Sequence, residues 1–137
     1  MGYKVIGHTA DIRLKVWGLT EKELFRDALL GMMYIIKMQN SKSKNQNLRK
    51  RTIKIEADDV TALLVDFLNE ALYQSHTNKE IYNEVKFNQL TDKNLETELI
   101  GFSVREFDED IKAVTYHEAE IKKRPDGQFE TTLIFDI

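Results

Sequence analysis

Val60, Leu63, Leu64, Phe67, Leu68, Ala71 and Leu72 recur at intervals of three and four, the spacing that lines one face of an α-helix. Asp58 or Asp59 stands where a side-chain oxygen caps the first turn. A second helix is predicted upstream. Thr20-Glu21-Lys22-Glu23 has the form of a capping box, and Leu24, Phe25, Ala28, Leu29, Met32, Met33 and Ile36 fill one face behind it. Both helices need an apolar surface to lie on, and the rest of the chain supplies strands. Residues 3–7, 12–17 and 52–57 alternate apolar with polar, and four further runs are expected at 84–90, 95–104, 112–121 and 128–135.

The resulting order is ββαβαββββ. Short connections dominate the second half, and Arg124-Pro125-Asp126-Gly127 is the clearest turn, with Pro where its φ is pre-set and Gly where a positive φ is needed. The economical arrangement is an α+β two-layer sandwich: a mostly antiparallel or mixed β-sheet with the two helices packed on one face. At 137 residues, with no internal repeat and no linker, residues 1–137 form one expected domain.

Several chemistries are excluded by what is missing. The chain has no cysteine, which removes disulfides, thiolate zinc sites and cysteine nucleophiles together and fits a reducing compartment. No serine sits in a nucleophile elbow, and the six glycines form neither a P-loop nor a dinucleotide fingerprint. There is no apolar signal core and no run long enough to span a membrane, so a cytoplasmic protein without membrane contact is expected. The net charge of −3 conceals an asymmetry. Lys42, Lys44, Arg49, Lys50 and Arg51 make 42–51 wholly basic, leaving 15 basic against 23 acidic residues, a charge of −8, on the remainder. Such a loop is either a solvated surface or a contact for RNA or an acidic partner.

The polar turn His8-Thr9-Ala10-Asp11 lies between the first two predicted strands, and the chain finishes Phe135-Asp136-Ile137. If the last strand lies beside the first, the carboxylates of Asp11, Asp136 and the terminal Ile137 converge. Like charges so placed repel unless a cation joins them or protons neutralise them. Carboxylate donors without thiolates favour Ca²⁺, Mg²⁺ or Mn²⁺ by ligand hardness. His8 and His117 are assigned hydrogen-bonding roles to ligands or backbone ahead of direct ligation. Asp66 and Asn69, at the polar border of the second helix, are candidates to face the site or a partner.

Five separated blocks together give the chain a family resemblance. They are His8-Thr9-Ala10-Asp11; Gly18 with Leu24-Phe25 and Ala28; Leu63-Leu64-Val65-Asp66-Phe67-Leu68-Asn69-Glu70; Lys112-Ala113-Val114-Thr115-Tyr116-His117; and Phe135-Asp136-Ile137. In this order they resemble the archease family across nearly the whole chain. The resemblance implies a protein cofactor, not itself an enzyme, of the GTP-dependent tRNA-splicing RNA ligase, promoting guanylylation and multiple turnover of that ligase. It also implies Asp11, Asp136 and the main-chain oxygens of Ile137 as ligands of a divalent cation, Ca²⁺ first, with Mg²⁺ or Mn²⁺ as alternatives. RNA contact would then be indirect or through the basic loop 42–51, which matches no family block. The competing readings are a metal-dependent phosphoester hydrolase and a metal-independent, chaperone-like interaction module.

Overall fold

A computed structural model describes residues 2–7, 11–37 and 48–137. The elements in chain order are β1 (Gly2–Gly7), β2 (Asp11–Gly18), α1 (Glu21–Ile36), β3 (Arg49–Glu56), α2 (Val60–Asn78), β4 (Glu80–Leu90), β5 (Asn94–Ser103), β6 (Ala113–Thr115), β7 (Lys122–Lys123) and β8 (Phe129–Asp136). The fold is α+β, and every described strand pairing is antiparallel. The strands divide into two sheets. One runs β1-β2-β8-β6, with β7 also paired to β8, and the other runs β3-β5-β4.

Both helices start as their sequences dictate. The Thr20 hydroxyl accepts from the Glu23 N–H, and the Glu23 carboxylate accepts from the Leu19 and Thr20 N–H groups, closing the capping box. Asp59 caps α2, accepting from the Ala62 N–H at 2.8 Å. The predicted stripes are buried except for Val60, which is half-buried at the start of α2, and the burial extends beyond them: Gly31 and Ile35 of α1 and Val65 of α2 are also inside. The reason lies in the packing. Helix α1 lies against β1, β2 and β8 of the larger sheet and β4 of the smaller, while α2 lies against all three strands of the smaller sheet and β6 of the larger. A helix touching two sheets buries a wider arc than one on a single face. Phe67 of α2 is fully buried, stacked on Phe25 of α1 at 5.9 Å between ring centroids and tilted against Phe87 of β4 at 6.5 Å.

Two glycines are required by the backbone. A Cβ on Gly101 of β5 would stand 1.8 Å from the Ile81 carbonyl oxygen, beside the register shift between Tyr82 and Glu84 in β4. Gly127 has φ +87°, follows the Arg124-Pro125-Asp126 turn and donates to the Arg124 carbonyl at 2.9 Å. That turn joins β7 to β8 as expected.

Three expected strand limits change, one of them at β4, which begins at Glu80, four residues before the expected run 84–90. The run 112–121 is not one strand: β6 ends at Thr115, a turn follows in which the Ala119 N–H donates to the Tyr116 carbonyl, and β7 resumes at Lys122. Glu118 sits in the left-handed region at φ 60°, where an extended strand cannot continue. Strand β3 begins at Arg49, three residues before the apolar alternation becomes visible, so the end of the basic stretch is strand, not loop.

Candidate cation site at the paired ends of β2 and β8

Strand β8 lies beside β2, not beside the first strand. β1 occupies one edge of β2 and β8 takes the other, with β6 and β7 sharing the far edge of β8. In this register Asp11, the first residue of β2, is the Cα partner of Asp136, the last of β8. Directly opposed residues of an antiparallel pair project to the same face. Leu14 and Val16 of β2 and Leu133 and Phe135 of β8 are buried in the core, so Asp11, Arg13 and Lys15, with Asp136, Ile134 and Thr132 opposite, line the outer face. Two carboxylates are thus held side by side at one end of the sheet, where Ile137 follows directly and is 36% exposed.

The charge there is incompletely matched. Asp11 Oδ1 is buried without a hydrogen bond among the described residues, and so is Arg13 Nε, 4.0 Å away. That separation exceeds a hydrogen bond. The Arg13 guanidinium is instead anchored through Nη1, which donates to Glu118 Oε2 at 2.5 Å. Glu118 lies in the turn after β6, so this ion pair spans β8 across the outer face. Beneath that span Ile134, the Cα partner of both Arg13 and Thr115, is only 5% exposed on a face otherwise open to water.

Strand β6 completes the site's other flank. Ala113 is the second Cα partner of Asp136, and the Lys112 N–H donates to the Asp136 carbonyl at 2.7 Å. A three-residue edge strand needs support, and Asn69 of α2 supplies it. Its Nδ2 donates to the Val114 carbonyl and its Oδ1 accepts from the Val114 N–H, both at 2.9 Å. The amide thereby pairs both main-chain groups that β8 leaves free at Val114. One helical turn earlier, Asp66 accepts from the Tyr116 hydroxyl. That bond, then burial, raises the Tyr116 pKa.

Of the residues predicted for the site, Asp11 and Asp136 are therefore brought together, with Ile137 next to them. Asp66 and the exposed His117 flank β6, and no cluster of three His, Asp or Glu side chains suited to a metal ion occurs among the described residues. His8 lies outside the described residues. Arg13 and Glu118 were not singled out from sequence. Arg13 was legible, because alternation puts residue i+2 of a strand on the same face as Asp11, but nothing local announces Glu118 as its partner.

The basic stretch is partly consumed by the fold. Arg49 and Arg51 share the inward face of β3 with Ile53. Arg51 grips Glu80 through both fork nitrogens, Nε to Oε1 at 2.9 Å and Nη2 to Oε2 at 2.8 Å, and Arg49 Nε lies 3.8 Å from the same carboxylate. Glu80 is 1% exposed and also accepts from the Tyr82 hydroxyl at 2.8 Å. Burial pushes the Glu80 carboxyl upward, but the hydrogen bonds from Arg51 and Tyr82 and the charges of both arginines outweigh it and leave the pKa lowered. Burial, reinforced by Glu80, pushes the Tyr82 hydroxyl up to about 12. Lys50 is exposed on the opposite face, and Lys42 and Lys44 lie outside the described residues.

Among the described residues no helix is long and apolar enough to cross a membrane. Comparison with known proteins places the chain among relatives of its own length. The profile of the archease protein family (MTH1598/TM1083) matches residues 3–137. Protein archease of Methanosarcina barkeri is 31% identical over 98% of this chain and 95% of its own, and that of Thermococcus kodakarensis is 31% identical over 95% and 94%. Among solved structures, protein 1598 of Methanobacterium thermoautotrophicum superposes with a TM-score of 0.70 at 26% identity, covering 99% of both chains. An archease from Thermotoga maritima, described as a possible chaperone, gives 0.68 at 18% identity over 98% of this chain and 96% of its own, a likeness of fold. With the family profile spanning the chain almost end to end, this protein belongs to the archease family.

Proposed function

We propose that this chain is a cation-carrying activator of the GTP-dependent tRNA-splicing RNA ligase, promoting guanylylation and multiple turnover of the ligase in tRNA splicing and RNA repair in the cytoplasm. Family membership supplies the class of protein. The observation that carries the reading is the register pair Asp11–Asp136, in which two carboxylates face the same way at the end of a sheet and Asp11 Oδ1 is buried without a hydrogen bond among the described residues.

These residues fit a hard divalent cation. Asp11 and Asp136 would contribute side-chain oxygens and Ile137 main-chain oxygens, an all-oxygen set suited to Ca²⁺, with Mg²⁺ or Mn²⁺ as alternatives. When bound, the cation would offset phosphate charge at a neighbouring active site. The chain's own residues hold the pair in place. The β2–β8 ladder fixes the two carboxylates in register, β6 braces Asp136 from the other side, and Asn69 ties β6 to α2. Their position at a strand end leaves Asp136 and Ile137 exposed to a docking partner. Any direct contact with RNA would fall to Lys50 and to Lys42 and Lys44, since Arg49 and Arg51 are engaged with Glu80.

The test is a ligase turnover assay with and without this protein, repeated after chelation and with Asp11→Asn. Guanylylation stimulated by the parent and lost in both controls is expected. Stimulation that survives both would make the protein a metal-independent interaction module. Release of phosphate, or RNA cleavage, by the purified protein alone would make it a hydrolase.

A further inference from the structure

The guanidinium of Arg13 stands between two carboxylates and is bonded to only one. Its Nη1 is hydrogen-bonded to Glu118, while its Nε and Asp11 Oδ1, both buried and both without a hydrogen bond among the described residues, face each other at 4.0 Å. Glu118 reaches this position from a left-handed backbone conformation at φ 60°, uncommon for a residue with a side chain. Local backbone preference therefore does not explain where Glu118 points. Its visible task is to draw Arg13 across β8 and away from Asp11.

We propose that Arg13 and Glu118 are positioning residues that set the affinity of the cation site, an inference that rests on the reading of Asp11 and Asp136 as ligands. Without a cation, the Arg13 charge offsets the repulsion between the opposed carboxylates. A divalent cation and a guanidinium compete for the same oxygens, so uptake of the cation requires Arg13 to stay withdrawn. Glu118 provides the alternative anion that holds it there. Neither residue is a ligand: Arg13 acts through its charge, and Glu118 acts by fixing the position of Arg13.

Opposite effects of two neutral substitutions follow. Glu118→Gln frees Arg13 to close on Asp11 and weakens Ca²⁺ binding by about tenfold, whereas Arg13→Gln removes the competitor and strengthens binding by a similar factor. Because Glu118 acts through Arg13, its substitution in an Arg13→Gln background leaves affinity nearly unchanged. Thermal unfolding without metal supplies a second readout: Arg13→Gln lowers the metal-free melting temperature and enlarges the gain on adding Ca²⁺.

The experiment is calorimetric titration of Ca²⁺ into the parent, Arg13→Gln, Glu118→Gln, the double variant and Asp11→Asn, with melting curves of each in chelator and in excess Ca²⁺. Opposite shifts for the single variants, with the Glu118 effect abolished in the double, support the inference. Parent-like affinity in Glu118→Gln, or an undiminished Glu118 effect in the double, overturns it while leaving the cation site standing if Asp11→Asn loses binding. A parent that takes up no cation, or an Asp11→Asn that binds as well as the parent, overturns the cation site and this inference together.

Discussion

Asp11 and Asp136 are Cα partners across the β2–β8 ladder, first residue against last, on the outer face of the larger sheet. Like charges directly opposed on adjacent strands destabilise a sheet, by about 0.2–1 kcal/mol per pair. A fold that served only its own stability would gain by neutralising one of them. Asp11→Asn should therefore leave the metal-free protein as stable as the parent or more stable by up to about 1 kcal/mol, while sharply lowering affinity for Ca²⁺. Denaturant melts in chelator read the first effect and calorimetry reads the second. Loss of stability with unchanged binding would mean that Asp11 serves the β2 terminus alone.

The Arg51–Glu80 pair carries an ordering that exposure decides. Arg51 keeps 38% of its side chain accessible, whereas Glu80 keeps 2%. Removing the arginine leaves a buried carboxylate with the Tyr82 hydroxyl and the more distant Arg49 as its partners, but removing the carboxylate leaves a cation that can turn to water. Arg51→Met should cost ~3 kcal/mol or more and Glu80→Gln about 1–2 kcal/mol, in two-state denaturant melts. The pH dependence follows from Glu80, whose pKa is lowered in the fold from an ordinary value of 4.5. A lowered carboxylate pKa means that the unfolded chain takes up the proton first. The stabilisation is complete above the unfolded value and is lost as pH falls through the lower folded one. The acid limb of the stability curve should flatten in Glu80→Gln. Equal costs for the two substitutions would contradict the burial argument.

Phe67 tests whether α2 is read in the right rotation. It is fully buried between Phe25 and Phe87, and Phe67→Ala should cost ~3–5 kcal/mol, the range for truncating a buried aromatic. A loss below ~1 kcal/mol in the same melts would mean that the core collapses around the deletion far more readily than this packing allows.

What sequence shows and what it hides divides along local and non-local lines. The stripe from Val60 to Leu72 and the Thr20–Glu23 box are local, so both helices are legible from residues a few positions apart. Arg49 and Arg51 hide the start of β3, because charges on the inward face look like loop until Glu80, far along the chain, is known to meet them. Glu118 hides the break after β6 for a similar reason: no glycine or proline marks the turn, and the residue that adopts the left-handed conformation is held by Arg13, 105 positions away. Division into two sheets is likewise a property of pairing partners, not of any segment. The facing carboxylates were legible only conditionally, since the composition of both strand ends is plain but their register requires β8 to pair with β2.

The same distinction gives Asn69 its weight. On sequence alone it is a polar residue at the border of a helical stripe. In the fold its side-chain amide pairs with both main-chain groups of Val114 and so holds a three-residue edge strand whose Ala113 sits opposite Asp136. Asn69→Ala removes donor and acceptor together and leaves the Val114 N–H and carbonyl without partners beside a side chain that is 3% exposed. The expected cost is about 1–3 kcal/mol, concentrated where β6 meets α2. Hydrogen exchange locates it: the Val114 amide should exchange much faster in the variant, while amides in the middle of α2 slow or quicken only with global stability. Asn69→Asp separates the two bonds, since a carboxylate still accepts from the Val114 N–H but opposes the Val114 carbonyl instead of donating to it. That variant should retain protection at Val114 while losing stability. Unchanged exchange at Val114 in Asn69→Ala would show that β8 alone secures β6, and Asn69 would then have no part in bracing Asp136.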